Sequence, residues 1–329
     1  MSEQHAVHDE HQQNEDWHVR GCAAFDKRTG GAQKTRLGHL RAVLTSADRM
    51  WDNEKTLTYC FIKPVGTKIQ QNKVKEVIKE WESYVNIKFK FLAGRNATIR
   101  IAFEEDEGSW SYIARDIEGI PAREATMNLG WISTDPEITE EDRGVILHEF
   151  GHSLGYLHEH QSLRRSEKIT LDEEAVLEFY MRTQHWTKEE VRQQILDVYN
   201  DKEVSSFSAI DLTSIMMYYM PKEMNLERIE VKPNNVLSET DKAFGFLNYP
   251  FIKTKSPRPE WTITHALDVA NVQGDSRQRI LNEFEQGDWR GVRTELALWS
   301  LNEKAIAIKT RLQNKGGVVG NQQQPVVVA

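Results

Sequence analysis

HEFGHSLGYLHEH, His148 to His160, packs four histidines and two glutamates into thirteen residues. On a helix, His148 and His152 stand four apart, so both side chains leave the same face one turn from each other. A tetrahedral zinc site takes imidazole nitrogens at about 2.0–2.1 Å, and such a pair supplies two of them. His158 cannot reach the same ion from a continuing helix. A sharp turn has to intervene, and Gly155 is the residue type that makes one readily, because it accepts positive φ. Glu149 is one residue off the ligating positions, where a carboxylate can face a metal-activated water and take its proton. The rival reading is a helix end that merely carries surface histidines. Specified residues at this spacing rarely coincide at average residue usage, so the stretch reads as a metal site.

The helix that carries the motif is announced by TEEDRGVILHEFGHSL. Thr139 stands at the cap, with Glu140, Glu141 and Asp142 in the first turn, where carboxylates favour the positive end of the dipole. Gly155 is its natural stop. Upstream, LTYCFI (Leu57 to Ile62) predicts a strand, and Val74, Ile78 and Trp81 predict an amphipathic helix over residues 68–84. IKFKFL and TIRIAF alternate as half-buried strands. The order is strand, helix, strand, strand, followed by a loop-rich segment from Glu104 to Pro136. Trp110 and Trp131 within it read as core residues. Downstream, residues 171–198 read as helical, and VLSETDKAFGFLNYP as a short helix capped by Ser238 or Thr240. After Pro257 the composition changes, and residues 280–312 are expected to form one or two further helices. Trp289, Val292, Leu296 and Trp299 form an apolar face there, for packing on the preceding domain or, alternatively, for a partner. The expected division is an N-terminal arm over 1–45, a catalytic-sized domain over 46–252, and a helical extension with a disordered tail over 253–329.

The wider motif resembles a family. Metzincin metallopeptidases carry this extended histidine motif followed by a Met-turn, and SIMMY, Ser214 to Tyr218, stands where that turn is wanted. Within the metzincins the chain is most similar to the astacins. Their motif adds a glutamate after the third histidine, matched by Glu159, and their Met-turn S-x-M-x-Y is matched by Ser214, Met216 and Tyr218. GSWSYIA (Gly108 to Ala114) resembles the astacin stretch C-W-S-Y-x-G, and ATMNLG its following strand. HEHQSLRR resembles the sequence after the third ligand, and LSETDKAFGFLNYP the domain's close. The likeness runs from Trp51 to Tyr249.

That resemblance implies an α+β, metzincin-type fold of two subdomains around a cleft, with a twisted five-stranded mixed sheet and an active-site helix, here followed by the helical extension. It implies one Zn2+ per chain on His148, His152 and His158, with Glu149 as general base. Tyr218 would be a fifth, detachable ligand that swings away to stabilise the oxyanion. Met216 would floor the site, and Glu159 would hold its lower part. The implied activity is that of a zinc-dependent endopeptidase without a covalent intermediate. A protein or peptide substrate would lie extended along the sheet's edge strand, expected near Ala125–Gly130. The alternative is a non-catalytic or latent zinc-stabilised peptide-binding module. A third reading concerns role: an effector or toxin peptidase exported by a non-standard route.

Composition narrows the remaining choices. A net charge of −8 with no basic stripe argues against nucleic acid. No run of about 18 apolar residues offers a membrane span. The opening MSEQHAVHDEHQQNEDWHVR lacks the apolar run of a secretory signal, so the default expectation is a cytoplasmic monomer, with non-standard secretion as the alternative. The chain has two cysteines, Cys22 and Cys60, and Ser109 stands where astacins have a cysteine, so no disulfide framework is expected. The arm could act as a pro-segment, with the Cys22 thiolate or the Asp26 carboxylate blocking zinc; the plainer reading is a free thiol in a solvated tail. His5, His8, His11 and His18 there are read as solvated. Asn96-Ala97-Thr98 matches a glycosylation acceptor, relevant to an exported chain.

Overall fold

The computed structural model describes residues 44–45, 49–94, 96–162, 164–197, 204–206 and 210–316. Cys22, Asp26 and the four histidines of the arm lie outside them. Chain order begins with the two-residue strand β1 (Leu44–Thr45), then β2 (Thr56–Phe61), whose Leu57 and Tyr59 face one side of the sheet while Cys60 faces the other. Helix α1 (Lys68–Val77) starts in a capping box between Thr67 and Gln70 and buries Val74 and Val77. The α-helix stops there, earlier than its periodicity suggests, and Trp81–Ser83 form a single 3-10 turn that buries Trp81.

Strands β3 (Lys88–Phe91), β4 (Ile99–Ala102), β5 (Ser109–Ser111) and β6 (Met127–Leu129) complete the sheet. Its order is β3-β2-β4-β6-β5, parallel throughout except for β5, which runs antiparallel to β6 with Trp110 opposite Asn128. This corrects one expectation. Residues 125–130 do not form the edge: β6 is enclosed between β4 and β5, and β5 is the edge on that side. The sequence hid this because β5 precedes β6 in the chain yet lies outside it. The buried amide of Asn128 ties the intervening loop down, donating to the carbonyls of Glu104 and Gly108.

The 15-residue helix α2 (Glu140–Leu154) crosses beneath the sheet. Below it come α3 (Glu173–Thr183) and α4 (Lys188–Val191) with a π turn over Arg192–Leu196; β7 (Val204–Ser206) follows in the chain and pairs antiparallel with β1. The predicted helical stretch over 171–198 is therefore broken, with the capping box at Thr187 restarting it. Helix α5 (Glu239–Asn248) is capped by Ser238.

Two apolar clusters mark the two halves. The first joins the sheet to α2 and α5 through Leu57, Ile99, Ile101, Met127, Phe150 and Phe244. The second, around Ile169, Val176, Tyr180, Ile195 and Val231, supports the lower half. Met216 belongs to the first, Met217 and Tyr218 to the second, so the Ser214–Tyr218 turn lies on the seam. Trp110 is a core residue at 4 % exposure, and Trp131 packs partly buried against the lower cluster.

The stretch 280–312 falls on two helices, α7 (Gly274–Gln286) and α8 (Trp289–Gly316), and a further short one, α6 (Ile263–Val269), precedes them. The seven-residue α6 is too short to show a periodicity; a Thr262 cap and the burial of Ile263, Ala266 and Leu267 hold it. Val292, Leu296 and Trp299 of α8 join the upper core, with Trp299 against Phe244. Buried Arg293 donates to the carbonyls of Asn248 and Trp51 and lies over the Tyr249 ring. Among the described residues no helix is long and apolar enough to cross a membrane.

Candidate metal centre

Helix α2 is fixed at both ends. At its start Thr139 and Asp142 cap each other, and the buried Asp142 carboxylate also accepts from the Lys73 ammonium at 2.6 Å and the Ser133 amide at 2.7 Å. At its finish Gly155 turns left-handed at φ 104°, the conformation that a side chain would resist. The last four carbonyls of a helix lack intrahelical partners, and here all four are satisfied. Gly151 accepts from the Tyr156 amide and His152 from the Gly155 amide, the two bonds of a Schellman motif. Ser153 accepts from the Trp51 indole at 2.7 Å and Leu154 from the Tyr249 hydroxyl at 2.7 Å. Everything from Ile146 to Leu154 is buried, so polar residues on this stretch face protein on every side.

The turn brings the third histidine back. His148, His152 and His158 are all buried, and one ring nitrogen from each lies within 4.8 Å of the others. His152 Nε2 and His158 Nε2 are 3.2 Å apart. Nitrogens on adjacent corners of a tetrahedral zinc would be roughly 3.3 Å apart, given bonds of about 2.0–2.1 Å. The outer nitrogens are committed elsewhere: His148 Nδ1–H donates to the Ile215 carbonyl and His152 Nδ1–H to the Tyr156 carbonyl, both at 2.8 Å. These bonds fix the tautomers and aim the Nε2 lone pairs inward. His148 Nε2 is buried with no hydrogen-bond partner, as a nitrogen kept for a cation would be. Burial drives the His148 imidazole down to about 4 and His152 well below its usual value, so both are neutral at pH 7, the form that binds metal. The donor set fits zinc.

The other predicted residues gather round it. Glu149, 1 % exposed, follows His148 on α2. Tyr218 has its ring centroid 4.5 Å from that of His158 and 6.1 Å from that of His148. Met216 is buried on the turn beneath, so close to α2 that a Cβ on Gly151 would meet its sulfur at 2.7 Å. Glu159 is buried and accepts from the Asp211 amide; burial raises its carboxyl to about 8. Sequence reasoning missed three contributors. Trp51 and Tyr249 close the helix end, and Asp241 binds the Ser214 hydroxyl and the Ile215 amide. Ser238 was one of the two caps read for this helix, but the partners of Asp241 on the Ser214–Tyr218 turn were not legible.

Residues 43–240 match the model of the family described as Astacin, a peptidase family. The chain belongs to the astacin family. It is accordingly a metallopeptidase of a zinc-dependent family, acting on proteins or peptides. Among solved structures, one of myroilysin is 33 % identical with a TM-score of 0.57, covering 62 % of this chain and 96 % of that one. A second myroilysin structure is 28 % identical with a TM-score of 0.47, covering 70 % and 99 %. High choriolytic enzyme 1, a hatching enzyme zinc-protease from the medaka fish Oryzias latipes, is 15 % identical with a TM-score of 0.44, covering 62 % and 96 %. No curated protein matches the chain. Astacins are usually secreted, so the cytoplasmic expectation finds no support in the family.

Proposed function

We propose that this astacin is an endopeptidase holding one zinc per chain on His148, His152 and His158. The convergence of three buried imidazoles, two of them aimed by carbonyl partners, carries that reading. When bound, zinc supplies Lewis-acid chemistry and brings the pKa of a water towards about 7.

The chain's own residues do the rest. Glu149 takes the proton of the attacking water and delivers it to the departing amine, which keeps charge from accumulating at either step. Tyr218 would lend its hydroxyl as a further, detachable ligand, and that hydroxyl would donate to the oxyanion as the carbonyl carbon becomes tetrahedral. Met216 gives an apolar floor, and Glu159 anchors the lower half through the Asp211 amide. The substrate backbone pairs with the edge strand β5, as extended peptides do with open sheet edges.

The test compares the full chain with its Glu149→Gln twin. Zinc per chain and cleavage of a denatured-protein peptide library are measured on both. One zinc in each, with cutting slower by about 10²–10⁴-fold in the variant, is the expected result. Equal cutting would remove Glu149 from the mechanism. One zinc and no cutting by either would leave the non-catalytic or latent module.

A further inference from the structure

The outer hydrogen bonds of His148 and His152 both lead to one residue. His148 Nδ1 donates to the Ile215 carbonyl, and the Ile215 amide donates to Asp241 Oδ2 at 2.8 Å. His152 Nδ1 donates to the Tyr156 carbonyl, and the Tyr156 hydroxyl donates to the backbone carbonyl of Asp241 at 2.6 Å. Each route passes through a single intervening residue. Asp241 Oδ1 also accepts from the Ser214 hydroxyl at 2.7 Å, and that hydroxyl in turn accepts from the Met216 amide at 3.0 Å. The turn beneath the site and both carbonyls that orient ligands are therefore tied to the first turn of α5.

The plain reading of Asp241 is half of a capping box. It accepts from the Ser238 amide at 2.9 Å, and its own amide donates to the Ser238 hydroxyl. A cap accounts for those two bonds and for nothing more. It does not require a carboxylate that is 4 % exposed, nor two further donors from a segment 26 and 27 residues away. Burying a carboxylate this deeply is costly, and a chain that needed only the cap would keep it at the surface.

We propose that Asp241 is a positioning residue for the metal centre: it holds the Ile215 and Tyr156 carbonyls where they aim His148 and His152. The proposal rests on the zinc reading above. It explains why Ser214 belongs to the turn: its hydroxyl relays the carboxylate to the Met216 amide. Partners one step beyond the ligands fix ring orientation and basicity, and losing them typically weakens metal binding about 10–100-fold.

The experiment measures the zinc dissociation constant of the full chain by chelator competition, and the absorption spectrum of its cobalt-substituted form. Asp241→Asn keeps the shape but turns the oxygen that accepts from the Ser214 hydroxyl into an N–H donor facing it or, flipped, sets an amide against the Ile215 and Ser238 N–H donors. Zinc affinity should fall by about 10–100-fold, with a shifted cobalt spectrum. Ser238→Ala cuts the same helix cap while leaving the Ile215 bond, and should change neither. Equal effects from both substitutions, or none from a folded Asp241→Asn, would overturn the proposal. Should Asp241→Asn show no cooperative melting, Tyr156→Phe decides. It removes one hydroxyl from the second route, so weaker zinc binding supports the assignment and unchanged binding overturns it. A parent chain that takes up no zinc sinks the metallopeptidase reading itself, a failure visible before any variant is compared.

Discussion

At the scale of single residues, the site combines burial with commitment. Each nitrogen of His148 and His152 has one direction to face, because the other nitrogen is held by a carbonyl. Tyr218 shares this setting but belongs to the lower cluster, so it sits beside the histidines without being held by α2. Replacing Tyr218 with Phe removes the hydroxyl and leaves the ring's packing on His158 and His160. The expected outcome is a kcat lower by about 10²-fold with zinc content and KM unchanged, since the lost bond forms only as the oxyanion develops. Steady-state kinetics on one cleaved peptide, with metal analysis of the same sample, checks it.

At the scale of elements, α2 is the part most completely legible in advance. Thr139 and Gly155 announce its ends by local chemistry, and local chemistry acts within one turn. The grouping of His148, His152 and His158 was readable for the same reason, all three histidines lying on one helix and the turn that ends it. What stayed hidden depends on distant partners. The edge position of β5 is set by how strands insert into the sheet, and the second role of Asp241 by a turn that sequence leaves unplaced. Asp142 adds a pH dependence to α2. Burial raises its carboxyl, but Lys73, the Ser133 and Thr139 amides and the Ser133 hydroxyl outweigh this and hold it below the usual carboxylate value. A carboxyl lowered in the folded state stabilises the fold above its unfolded value, and that contribution disappears as pH falls through the folded value. Urea unfolding of the parent should therefore lose stability below about pH 4, while Asp142→Asn, weaker at neutral pH, should lose less over the same interval. Parallel curves for the two proteins would refute this.

At the scale of the whole molecule, the extension is part of the peptidase core. Trp299 packs against Phe244 of α5 at 5 % exposure, and α5 also carries the Asp241 cap. Trp299→Ala should destabilise the chain by about 3–5 kcal/mol, the cost of an aromatic-sized cavity, in one cooperative transition. Denaturant melts followed at two wavelengths test it. A small early transition that left the rest intact would mean that the extension folds independently.

Arg293 grips the backbone of Trp51, whose indole closes the helix that bears the metal ligands, and its guanidinium covers the ring of Tyr249, whose hydroxyl closes it too. This sets an order of events during synthesis. The three histidines leave the ribosome well before the residue that clasps their supports. At about 5–20 residues per second, the stretch between His158 and Arg293 takes on the order of ten seconds to make. Over that interval the nascent chain carries its three histidines without the clasp that holds their helix end, so the two supports Trp51 and Tyr249 are locked only after Arg293 has been made.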